Sequence, residues 1–292
     1  MDQELKPAPK HSVKRILLSV GVVIVLAAVA FSTFTSLSLF GFLFEENYDD
    51  IIGSTEDSYA SCNVSGVTLW GELVARATSY TDENGDSNTD QTTSDDIVYY
   101  IEEAERSENI KAIILEIDSY GGYPVAAEEV MKTLKRASKP TVALIREYGD
   151  SAAYWAATGA DKIFASENSE VGSIGVTMSY IDYSKQNITE GITYNQISSG
   201  KFKDAGNWDK SLTSEEKILF QRDVDILHNN FVENVAENRN LDIEKVRLLA
   251  DGSTMLGVMA KDKGLIDEIG GIYEVKGYLK NIIGAEPEIC WQ

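Results

Sequence analysis

Ser151 follows Gly149 and Asp150 in the stretch YGDSAAYWAATGADKI, Tyr148 to Ile163, and opens a run of small and aromatic residues. A serine that leaves a strand and starts a buried helix is in the position of a nucleophile. Upstream, DSYGGY (118–123) supplies Gly121 and Gly122. Their amides can face a ligand with no side chain in the way. Together with the amide of Ala152 they make a candidate oxyanion site. The plain alternative is two tight turns and a serine helix cap.

A serine nucleophile needs a proton acceptor, and the chain has only two histidines. His11 lies ahead of a long apolar segment. His228 sits mid-helix in DILHNNFVENV and reads as a packed or surface residue. A lysine can take the role when its surroundings lower its pKa. ISSGKFKDAG (197–206) offers Lys201 and Lys203, on opposite faces if the segment is extended.

For Ser151 and the glycine pair to meet, two neighbouring parallel strands must end at one sheet edge, where ligands of such sheets bind. KAIILEI (111–117) and TVALIRE (141–147) are apolar runs suited to buried parallel strands, with a helix from Val125 to Arg136 between them. VSGVTLWGELVA, Val64 to Ala75, alternates as a strand, and KIFASE, GVTMSYI and ITYNQIS read as further strands. Residues 78–96 hold no apolar run and read as a long loop. Ser94 and Asp95 are placed to cap the helix that follows. The last third is helical, led by the long periodic stretch 211–239. Strand and helix alternate as in an α/β domain of repeated β-α-β units.

The net charge is −21. Such a balance excludes nucleic acid as a partner, because phosphate binding needs clustered Lys and Arg. Ile16 to Phe44 contains no charged residue and, at 29 residues, is long enough to span a bilayer as a transmembrane helix. The basic tail 1–15 precedes it and Glu45, Glu46, Asp49 and Asp50 follow, so the N-terminus is expected in the cytoplasm and the rest outside. Of the 26 basic and 47 acidic residues, 4 and 2 lie in 1–15; the remaining 22 and 45 give everything after it a net of −23. Residues 45–63 read as a linker. Cys62 and Cys290 fall on the same side of the anchor, either as two thiols or as one disulfide. No Cys/His cluster points to a metal.

Four segments in order resemble the signal peptide peptidase A family of membrane serine peptidases. They are AIILEIDSYGGYPVAAEEV, SAAYWAATGADKIFASENSEVGSIGV, SGKFKDAGNWDKSLTSEEK and ADGSTMLGVMAKDKGLIDEIGG, which together span most of 64–283. The resemblance implies a crotonase-like, Clp-protease-like α/β domain over 64–292. It implies Ser151 as nucleophile, Lys203 as general base with Lys201 the weaker candidate, and Ser173 orienting the lysine amine. Gly121 or Gly122 and Ala152 would supply oxyanion amides. It also implies assembly of several copies into a ring or dome, with the lysine reaching either its own serine or a neighbour's, no cofactor, and released signal peptides or other short apolar chains as substrates. The sequence departs from the family pattern at Ala152 and Ala153, where glycines are usual, at Tyr120 in place of proline, and at Asp150. Those departures keep open a second reading, a catalytically weak member acting as a membrane scaffold. A crotonase-type acyl-coenzyme A enzyme shares the double-glycine turn but fits poorly with so acidic a domain.

Overall fold

The computed structural model describes residues 61–77 and 90–292. The expected tail at 1–15, the expected anchor at 16–44, residues 45–60 of the expected linker and residues 78–89 of the expected loop lie outside the described residues. Among the described residues no helix is long and apolar enough to cross a membrane.

In chain order, the first elements are β1 (Val64–Val74), β2 (Gln91–Thr93), α1 (Ser94–Arg106), β3 (Ala112–Gly122), α2 (Pro124–Arg136) and β4 (Thr141–Asp150). A short helix α3 (Ala152–Ala157) leads to β5 (Lys162–Ala165) and β6 (Glu170–Gly172), then α4 (Ser184–Thr189) and the long α5 (Ser214–Arg239). The chain closes with α6 (Ile243–Leu249), β7 (Thr254–Leu256), α7 (Gly257–Lys263), β8 (Glu268–Ile269), α8 (Ile272–Ile283) and β9 (Ile289–Trp291). The main sheet runs β2-β1-β3-β4-β5-β8, with β9 also on β1 and β6 also on β4. Every pairing is parallel except β6 with β7.

A parallel sheet covered on both faces needs apolar residues at successive positions, and β3 shows this directly. Ile113, Leu115 and Ile117 enter the large core with α1, α2, α3 and α5, while Ala112 and Ile114 face the smaller core with Val275 and Leu279 of α8. All five β3 residues are fully buried. Each such Ile or Leu contributes about 1.5–3 kcal/mol. A disulfide joins Cys62 to Cys290, next to the pairing of Val64 with Ile289.

Several expected elements differ. GVTMSYI and ITYNQIS carry no strand; their alternation finds no partner strand, and residues 173–183 and 192–198 run without regular structure. The expected loop at 78–96 contains β2 and the start of α1. Thr93, not Ser94 or Asp95, caps α1 and accepts the Asp96 amide at 3.0 Å. The strands β6 to β9 are two or three residues long, too short for any periodicity to announce them.

Candidate active site

The strand β4 ends at Asp150, and the chain turns at Ser151 into α3 with φ 51° and ψ −123°. Positive φ in a non-glycine residue is strained, and among the described residues only Ser151, Ser173 and Asn240 show it. The turn is held from both sides. The Ser151 amide donates to Gly172 O at 2.8 Å, and its carbonyl accepts the Trp155 amide at 2.9 Å. Behind it, α3 is wholly buried; its alanines let it pack closely, and the Tyr154 hydroxyl donates to Leu265 O at 2.8 Å.

Gly121, at the end of β3, backs directly onto this turn. A Cβ there would lie 2.8 Å from the Ser151 Cβ and 3.0 Å from the Ala152 nitrogen, at φ +116°. Its amide, however, donates to the Ser119 hydroxyl at 3.1 Å. Gly122 faces β1 instead, where a Cβ would meet Leu73 O at 2.0 Å. The two glycines therefore have different tasks: one lets the strand approach the serine, the other lets it approach β1.

Ser151, Ala152, Gly122 and Ser173 all line one cavity of about 760 Å³. Gly121 is not among its lining residues, so of the expected oxyanion set Gly122 and Ala152 are the two brought there. The pairing of Asp150 with Gly172 puts the following residues, Ser151 and Ser173, side by side. Ser173 donates its hydroxyl to Gly252 O at 3.2 Å and its amide to Ser253 O at 3.0 Å. Of the two unexpected alanines, only Ala152 borders the cavity; Ala153 is buried behind it.

The lysines are elsewhere. Lys203 is exposed within a series of turns at 201–206, not on an extended segment, and does not line the cavity. Lys201 pairs with Glu215 and lies 5.4 Å over the Phe202 ring. His228, read as a packed or surface residue, is half-buried and also lines the cavity. Its Nε2 lies 3.1 Å from Ala250 O and donates to that carbonyl, which leaves Nδ1 as the acceptor of the neutral ring. The helical spacing of Val224, Leu227, His228 and Phe231 was a usable signal, because all four line the same cavity.

Asp150 is 4% exposed and, among the described residues, its Oδ1 has no hydrogen-bond partner. Burial, with Glu170 nearby, pushes its carboxyl up to about 6. Among the described residues no group of three His, Cys, Asp or Glu side chains is placed to hold a metal ion.

The chemistry available is that of a serine in a strained strand-to-helix turn, with backbone amides beside it, opening on a cavity. Comparison with known proteins agrees. The sequence pattern of Peptidase family S49 matches residues 133–284. A protein of Methanocaldococcus jannaschii named as a protease is 32% identical over 75% of this chain and 70% of its own length. An Enterococcus faecium protein named as a signal peptide peptidase SppA is 31% identical over 64% of this chain, and the match spans 56% of that relative. ClpP1 from Listeria monocytogenes aligns with 74% of this chain and 94% of its own, at 15% identity and a TM-score of 0.43. That superposition is loose, and the fold description rests on the sheet topology. The matched residues take in the Ser151 turn, the segment with Lys201 and Lys203 and the C-terminal motif, and the chain belongs to peptidase family S49, the signal peptide peptidase family.

Proposed function

We propose that this chain is a membrane-anchored serine endopeptidase. It cleaves short apolar or unfolded peptides, remnants of signal peptides among them. One observation carries the reading: Ser151 is held in a strained turn on a cavity shared with Gly122, Ala152 and Ser173. In the proposed reaction the Ser151 hydroxyl attacks the peptide carbonyl. Lys203 takes the proton and returns it to the leaving amine, and water then releases the acyl group. The amides of Gly122 and Ala152 stabilise the oxyanion.

Lys203 does not line the Ser151 cavity of its own chain, and this favours a lysine supplied by a neighbouring copy. The segment that carries it exposes Ile188, Ile197 and Trp208, at 77%, 100% and 63%. Exposed apolar surface of this kind marks an interface, which supports a ring or dome of several copies. The disulfide supports an oxidising compartment, in keeping with an N-terminus in the cytoplasm and a domain outside.

The test is cleavage of a fluorogenic apolar peptide by the full chain in detergent. Ser151→Ala and Lys203→Ala are each expected to abolish turnover, and Lys201→Ala to retain it. Mixing the two inactive variants restores activity if the dyad forms between copies. Full activity in Ser151→Ala refutes the nucleophile. The scaffold reading draws on the same distant lysine and on the Ala152 methyl at the cavity. It gains if the wild type is silent and Ser151 resists a serine-directed phosphonate.

A further inference from the structure

The cavity has two kinds of wall. Its floor is apolar: Trp155 stacks on Phe231 at 4.7 Å with the rings 8° from parallel. Trp155 is 4% exposed and, among the described residues, its Nε1 has no acceptor. The other wall is acidic. Asp225 on α5 and Asp251 in the turn before β7 both line the cavity, and among the described residues no lysine or arginine does.

Both carboxylates are positioned. The Asp251 Oδ1 accepts the Ser253 amide at 2.9 Å and the Ser253 hydroxyl at 2.6 Å, and these bonds hold the carboxyl below its ordinary range. The Asp225 Oδ1 accepts from Gln221 Nε2 at 2.7 Å. We propose that Asp225 and Asp251 are specificity determinants of the Ser151 cavity, selecting apolar peptides that also carry a cationic residue. The inference rests on the peptidase reading of that cavity and names its substrate class. The net of −23 after residue 15 works in the same direction, drawing cationic peptides toward the domain and repelling acidic ones.

Binding tests this without turnover. The full-length Ser151→Ala chain in detergent is titrated with fluorescein-labelled apolar peptides that differ only in carrying Lys, Gln or Glu, scanned through successive positions. At one position the Lys peptide is expected to bind on the order of tenfold tighter than the Glu peptide at low salt, and the gap is expected to narrow as salt is raised. Adding Asp225→Asn cuts that ratio by about threefold, with the Gln peptide as the reference for any change in the cavity itself. Asp251→Asn cuts the ratio similarly, with the Gln peptide reporting any damage to the turn that Ser173 bonds. A Lys-to-Glu ratio near one at every position overturns the proposal, as does a ratio that neither variant moves or the absence of binding by any peptide. The peptidase reading fails separately, when wild type neither cleaves these peptides nor takes a phosphonate on Ser151.

Discussion

Replacing Asp150 by asparagine should change how stability depends on pH. Asp150 is buried beside Ser151, with one oxygen unpartnered among the described residues, and its carboxyl is raised from an ordinary 3.8 to about 6. The folded chain thus holds this proton more tightly than the unfolded chain. Below pH 3.8 the group is neutral in both states and carries no charge into the core. As pH rises toward 6 the unfolded chain ionises freely while the folded one resists, and stability is lost. At about 1.4 kcal/mol per pH unit, the gap between 3.8 and about 6 costs about 3 kcal/mol at neutral pH. Asparagine keeps the size and removes the charge. Its own packing cost does not vary with pH, so the slope isolates the carboxyl. Urea unfolding of wild type and Asp150→Asn, run from pH 4 to pH 8, should show the variant gaining about 2.4 kcal/mol relative to wild type across that range, since part of the loss already falls below pH 4. A difference that stays constant with pH refutes the reasoning and means that Asp150 is solvated or paired.

Gly121→Ala would place a Cβ 2.8 Å from the Ser151 Cβ at φ +116°. Labelling of Ser151 by a phosphonate should slow by about a hundredfold, since small displacements of a reacting group cost that much, and an unchanged rate would refute the contact. Gly122→Ala would meet Leu73 O at 2.0 Å. It should fail to fold rather than fold without activity, which the thermal melt distinguishes. Cys62→Ser should lose about 2–5 kcal/mol, seen as a lower Tm that reducing agent does not lower further. A Tm equal to that of the oxidised wild type would show that the bond does not constrain the unfolded chain.

The central strands were legible because burial on both faces leaves continuous apolar runs, as in KAIILEI and TVALIRE. The turn at Ser151 was legible for a related reason: an apolar run that ends in Gly-Asp-Ser and gives way to alanines marks a strand passing into a buried helix. Pairing was not legible. GVTMSYI alternates as well as β1 does, yet β1 has neighbours and residues 175–181 have none; alternation describes a strand without supplying its partner. Gly121 and Gly122 look equivalent in sequence, but only the register shows that one backs the serine and the other β1. That His228 borders the Ser151 cavity was not legible either, because its own helix does not say which turn the α5 face meets.

The bond between Cys62 and Cys290 closes nearly all the described chain into a covalent ring. A ring must be cut twice before a piece can leave. One broken peptide bond anywhere between those cysteines leaves both fragments attached. A break between residues 77 and 90, for example, leaves β1 on one fragment and β3 and β4 on the other, still paired side by side in the sheet. Such a molecule migrates as one species on a gel until it is reduced, and then as two. In a compartment that holds other peptidases, the domain is built to survive a nick.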